Sequence, residues 1–172
     1  MDGDSFTSEH LRAVHGLGMF ILAWSVLEAY LEFLIARQLT LSPLDGSLVT
    51  ADLSFKARAR LLKGLLHRDS VKNDQAITEL NALMNKPDRN DLFHSMIGSN
   101  EDGLVFTRRE AAGMFKSTEK PYSGPSLLRL AVEITETTTR LRSALGATEK
   151  DYLSYFQSAY GGAKSSNDRT VN

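Results

Sequence analysis

The chain contains no cysteine. That excludes a disulfide framework, a thiol nucleophile and a cysteine-ligated zinc site. An excess of charge of either sign is also missing: 20 Lys and Arg stand against 21 Asp and Glu, for a formal net charge of −1. A protein that coats nucleic acid through bulk charge is therefore not expected, and any polyanion contact has to come from a local basic patch. There is no His-Glu-x-x-His pair, no phosphate-binding P-loop and no dinucleotide-binding glycine pattern, so neither a metal nor a cofactor is expected. No Gly-x-Ser-x-Gly elbow marks a serine nucleophile. His10 and His15 are spaced so that they share no helix face, and they read as surface or packing residues. Residues 1–6 are acidic and polar and do not resemble a signal peptide, which makes a cytoplasmic location the expectation.

What the sequence does have is helical periodicity. At 172 residues it is long enough for one domain with a sizeable core. The expected fold is all-α: residues 1–162 form an antiparallel bundle of about four to six helices, and residues 163–172 form a polar, disordered tail. The first helix is expected from Thr7 or Ser8 to about Gln38. Its stripe is Leu17, Ile21, Trp24, Glu28, Leu31 and Ile35. Between Gly16 and Ala36 the only charges are Glu28 and Glu32. That length could span a membrane, but each carboxylate near mid-bilayer would cost roughly 2–3 kcal/mol. A helix buried on most sides, in the bundle or at a dimer interface, is the reading adopted, with no membrane partner.

Residues 40–53 read as a loop around Pro43 and Gly46. A second helix follows over about Ser54–His67, with Phe55, Ala59, Leu62 and Leu66 facing inward. A third covers about Asn73–Met84, with Ile77, Leu80, Leu83 and Met84 inward. After Gly98, Asn100-Glu-Asp-Gly103 reads as a turn, and Leu104–Thr107 is β-prone enough to pair with Met96–Ser99 in a small hairpin. Residues 110–124 read as a loop. A helix over about Ser126–Leu145 carries the stripe Leu127, Ala131, Ile134, Thr138, Leu141 and Leu145, and Gly146 ends it. The last helix starts at Thr148 with Asp151 in a capping-box position. Tyr152, Leu153, Phe156 and Tyr160 make its apolar side.

The chemistry concentrates in Asn85-Lys-Pro-Asp-Arg-Asn-Asp-Leu-Phe-His94. Pro87 suits a first helical turn, and Asn85 or Asp88 can cap it. At about 100° per residue Arg89 falls among Leu92, Phe93 and Met96, while Asn90 and His94 share a polar face. An inward arginine needs an acceptor. Glu28, at a stripe position where Leu would be expected, is one candidate: it either fixes Arg89 or Arg58 within a site or forms a structural salt bridge or rim contact. A second candidate feature is the basic stripe Lys56, Arg60, Lys63 and His67, either a solvated face or a rail for RNA phosphates. Arg58 is expected to be partly buried, and Arg108 and Arg109 to face solvent.

Arg-x-x-x-x-His with Asn directly after the Arg resembles the signature of HEPN domains, small helical bundles of which many are RNases. Phe20-Ile-Leu-Ala-Trp-Ser-Val-Leu-Glu28 is similar to the first helix of one branch of that family. Ser54-Phe-Lys-Ala-Arg58 resembles the start of its second helix, and Gly103–Arg109 resembles the hairpin after the His. The likeness extends over about residues 8–145. It implies a metal-independent endoribonuclease in which the RNA 2′-hydroxyl attacks the adjacent phosphate, leaving a cyclic phosphate and a free 5′-hydroxyl. His94 would be the acid or base, Arg89 would hold the developing charge, and Asn90 would orient His94 or contact phosphate. It further implies a homodimer that brings two motifs into one cleft, and a toxin or phage-defence setting with an antitoxin or other regulatory protein. The sequence departs from one toxin branch at Met96, where a modified Tyr usually stands, so that form of regulation is not expected. The alternatives are a noncatalytic module that binds RNA, a nucleotide or a protein, and a dimeric helical scaffold with a buried Glu28–Arg89 pair.

Overall fold

The computed structural model describes residues 8–86, 92–93, 95–100, 103–111 and 115–161, with the backbone alone at 70, 109–111, 115–116 and 159–161. The described residues are mostly helical. In chain order they form α1 (Ser8–Leu39), α2 (Pro43–Thr50), α3 (Phe55–Leu66), a 3-10 turn (His67–Asp69), α4 (Ser70–Met84), β1 (Met96–Asn100), β2 (Gly103–Ala111), β3 (Phe115–Tyr122), α5 (Gly124–Ala144) and α6 (Glu149–Gly161). Two compact units divide the chain. One holds Met1–Ser25 and Asn85–Glu136, the other Val26–Met84 and Thr137–Asn172.

In the first unit the strands form one antiparallel sheet in the order β1-β2-β3. The expected hairpin is present in register, Ser99 opposite Leu104 and Met96 opposite Thr107. Gly103 opens β2 at φ +142°, and a Cβ there would lie 2.7 Å from the Tyr122 carbonyl oxygen, so glycine is required at that turn. The mostly helical expectation holds, but the hairpin gains a third strand, and the loop expected over 110–124 is corrected by β3. Gly113 and Pro121 suggested a loop, yet Leu104 pairs with Tyr122 and Val105 with Pro121. Proline is tolerated because β3 is an edge strand, where a missing N–H costs no ladder bond on the open side. Phe106 and Tyr122 pack edge to face at 5.3 Å between centroids. Phe20, Trp24, Leu127, Ala131 and Ile134 are buried with them. The start of α5 lies close against α1: a Cβ on Gly16 would lie 2.8 Å from the Gly124 carbonyl oxygen.

In the second unit, the inward stripes of α3 and α4 hold except at Met84, which is half-buried. Leu27, Tyr30, Leu31, Leu34, Ile35 and Leu141 are buried as well. Tyr30 stacks on Tyr152 at 3.9 Å, and Phe33 meets Tyr155 at 5.5 Å. Among the described side chains of α6 Tyr155 is buried, Tyr152 and Phe156 are half-buried and Leu153 is exposed; the Tyr160 side chain lies outside the described residues. Residues 43–50, expected as loop, are α2. The Ser42 side chain caps it by accepting from the Asp45 N–H at 3.2 Å, and Pro43 occupies the first helical turn. Gly46 sits where a Cβ would meet the Tyr155 hydroxyl at 2.3 Å, so it is there for close packing and not for a turn.

Two helix ends yield predictions. α1 terminates at Thr40, whose φ is +55°. The Leu41 N–H closes the end on the Ala36 carbonyl at 2.9 Å. A β-branched residue is poorly suited to that left-handed position. Thr40→Gly is therefore expected to stabilise the fold by about 1 kcal/mol, read as a higher urea midpoint with unchanged slope. Gly146, at φ +57°, ends α5 without that strain.

The second end is the amino terminus of α6. Thr148 and Asp151 cap each other: the Thr148 N–H donates to Asp151 Oδ2 at 2.9 Å, and the Asp151 N–H donates to Thr148 Oγ1 at 3.1 Å. The bond from the Thr148 backbone, then that from its hydroxyl, holds the Asp151 carboxyl below its usual pKa. A carboxyl that ionises more easily when folded contributes fully above the ordinary Asp range near about 4, and loses its contribution as pH falls through the lowered folded value. Asp151→Ala is thus expected to lower the unfolding midpoint at pH 7, with the gap to the parent chain closing in acid.

Candidate functional site

Arg89, Asn90 and His94 lie outside the described residues. The residues on either side of His94, Phe93 and Ser95, are described, as is Leu92. Leu92 and Phe93 are helical; Leu92 is buried, and the Phe93 ring lies 6.0 Å from that of Phe20. Phe93 therefore packs on the first residue of the Phe20–Glu28 run, one turn from Trp24. Met96, expected on the same helical face, instead begins β1 and is 57% exposed. The chain leaves the helix before that position, so Met96 cannot line up with Leu92. The Ser95 hydroxyl oxygen is buried and has no hydrogen-bond partner among the described residues. A hydroxyl left in that state costs about 1–3 kcal/mol.

β1, which follows directly, is exposed along its length. Its end is tied to α1 by His10, whose Nε2 lies 2.8 Å from the Asn100 carbonyl oxygen. A carbonyl can only accept, so Nε2 carries the proton. His10 is thereby a structural tie, in keeping with its sequence reading. On β2, Arg108 is half-buried where exposure was expected; the Arg109 side chain lies outside the described residues.

In the other unit, Glu28 and Arg58 meet at 3.8 Å with side chains 27% and 15% exposed. Arg58 Nε also donates to the Thr50 carbonyl at 3.1 Å, which locks the guanidinium between α1 and the end of α2. Of the two partners expected for Glu28, Arg58 is thus in place. The basic stripe on α3 is present as a face: Lys56, Arg60 and His67 are exposed and Lys63 is half-buried. The stripe faces outward because Phe55, Ala59, Leu62 and Leu66 occupy the inward side. α3 itself contains no acidic residue to neutralise it. Lys63 is partly committed, since its ammonium donates to Asn81 Oδ1 at 2.8 Å. That tie depends on how α4 lies against α3, which the α3 pattern alone does not reveal.

α1 carries a further feature. The sequence suggested burial on most sides, but only half of its most apolar stretch is buried. Leu11, Val14, Met19, Ile21 and Leu22 are exposed, Leu11 by 61% and Leu22 by 58%. Leu11, His15, Gly18, Leu22 and Ser25 follow one another at alternating spacings of four and three, and all five are exposed. A Cβ on Gly18 would meet nothing within 4 Å. That spacing is the spacing of a seam by which helices pair, and the exposed apolar residues Val14 and Ile21 flank it.

Comparison with protein-family models, curated proteins and solved structures found no match.

Proposed function

We propose that the protein is a metal-independent endoribonuclease of HEPN type that works as a homodimer in a toxin or phage-defence setting. The observation that carries this reading is the Arg89-Asn90-x-x-x-His94 motif in the sequence, which directly precedes a β-hairpin and encloses Phe93, whose ring packs on Phe20. The Ser95 hydroxyl, next in sequence to His94 and buried without a partner among the described residues, supports it, since such a group fits a site that binds something.

RNA carries its own nucleophile, the 2′-hydroxyl, so the protein has two tasks. One is to move protons with a group that titrates near neutrality, which suits His94. The other is to hold the charge that grows on the phosphate, which suits Arg89. Asn90, four residues before His94, orients the imidazole. In the other unit, the exposed stripe Lys56, Arg60 and His67, with Lys63 at its edge, is a second surface suited to RNA phosphates. The apolar seam on α1 is the dimer contact. A second copy laid antiparallel about Gly18 places Leu22 over the partner subunit's Val14, an exposed apolar position beside the seam, so that the same patch serves both subunits as in a twofold contact.

The test is incubation of a mixed RNA pool with the purified chain in EDTA. Cleavage supports the reading. Intact RNA, with the folded protein still retaining RNA or a nucleotide on a filter, would move the assignment to a noncatalytic binding module.

A further inference from the structure

A cleft of about 700 Å³ opens in the second unit. Its charged walls are Arg37 from the end of α1, Arg68 and Asp69 from the 3-10 turn, and Lys72 from the first turn of α4, and Leu65 and Leu145 supply apolar surface. Three cations against one acid leave the cleft strongly positive in a chain whose overall charge is −1.

The four charges are not equivalent. Asp69 Oδ1 accepts from the Lys72 backbone N–H at 3.4 Å, so the acid is drawn toward the start of α4. Arg37 is held by its Nη1 and Nη2 contacts to the Leu145 and Gly146 carbonyls, at 3.4 and 3.3 Å. Those contacts use two of its five N–H groups and fix the guanidinium at the wall. The Arg68 guanidinium and the Lys72 ammonium are exposed and have no partner among the described residues. No aromatic side chain lines the cleft, so nothing there stacks on a base or a sugar ring.

We propose that this cleft binds an oligophosphate, a chain of two or more linked phosphates, recognised by charge and not by whatever the chain is attached to. A chain of linked phosphates brings more charge and more acceptor oxygens into the cleft than a single phosphate does, and so suits a wall with cations from three elements. A triphosphate, with three or more negative charges, can bridge the fixed Arg37 to the free Arg68 and Lys72 through charge-assisted hydrogen bonds. Because the cleft offers no stacking surface, inorganic tripolyphosphate and ATP should bind alike. Binding should weaken as salt rises, as exposed charge pairs do. This proposal is independent of RNA cleavage.

The experiment is isothermal titration of the full chain at low salt with inorganic tripolyphosphate, ATP, inorganic phosphate and a 5′-triphosphorylated RNA oligomer. Tripolyphosphate and ATP are expected to bind within a factor of about three of each other, and inorganic phosphate roughly tenfold more weakly. The double variant Arg68→Ala/Lys72→Ala should weaken tripolyphosphate binding by roughly tenfold or more. The charge-keeping variant Arg68→Lys/Lys72→Arg should retain it, as should Arg129→Ala, at an exposed position on α5. The RNA oligomer separates the sources: binding lost with its triphosphate places the RNA end in the cleft, and binding unchanged by that loss places the RNA elsewhere and leaves the cleft to free oligophosphates. No heat with tripolyphosphate, retention of binding in Arg68→Ala/Lys72→Ala, or ATP binding far tighter than tripolyphosphate would each overturn the proposal.

Discussion

Alanine in place of His94 is expected to lower RNA cleavage by roughly 10²–10⁴-fold, the span that a positioned acid or base contributes. The fold should survive the change, because the buried residues of that segment and its surroundings, Leu92, Phe20, Trp24 and Phe106, are untouched. Arg89→Ala is expected to cost roughly 10²–10³-fold for a different reason, the loss of the cation that the proposed mechanism sets against the pentavalent phosphorane. Arg89→Lys keeps the charge but not the planar fork, and should recover only part of the rate. Asn90→Ala should shift the pH dependence more than the maximal rate, since the proposed mechanism has Asn90 act through His94. If His94→Ala cleaves as fast as the parent chain, the imidazole is not part of the machinery and the motif is structural.

Leu22→Glu is expected to convert a dimer into a monomer, and with it to remove most of the cleavage activity. Leu22 is 58% exposed in the single chain, so the substitution leaves each protomer's core intact. In the proposed twofold pairing both copies lose the burial of a leucine, roughly 1.5–3 kcal/mol for each. That alone raises the dimer dissociation constant by roughly a hundredfold or more, before the cost of covering a carboxylate is added. Sedimentation should read twice the 19.0 kDa chain mass for the parent and the single mass for the variant. Leu153→Glu, at a position exposed on α6, should change neither. A parent chain that sediments as a monomer at micromolar concentration would remove α1 pairing from the account.

How far the sequence carried can be judged element by element. The stripes of α3 and α5 were legible because each has one apolar face, and a 3.6-residue period then says which residues go inside. The β1–β2 hairpin was legible from the Gly103 turn between two β-prone runs. α2 was not, because Pro43 and Gly46 were read as breakers. The signal was nonetheless there, since Ser42-Pro43 followed by Asp45 is a capping arrangement. β3 was missed for the same kind of reason: Pro121 argues against a strand only when both edges are paired.

α1 shows a deeper limit. A helix that is apolar nearly all round says that its surface gets covered, but not by what. In the structure one side is covered by the chain itself, and Leu11 through Leu22 present another side to solvent. At the candidate site, the Glu28–Arg58 pair was foreseeable from an acid in an apolar stripe and an arginine among leucines. The cleft of Arg37, Arg68 and Lys72 was not, because its charges come from three elements and share no period.

The measurement that bears most directly on the account is end-group analysis of RNA incubated in EDTA with the parent chain and, beside it, with folded His94→Ala. The account predicts fragments bearing 2′,3′-cyclic phosphate and 5′-hydroxyl ends from the parent and nearly none from the variant. Fragments with 5′-phosphate ends, or the same fragments from both proteins, would contradict it.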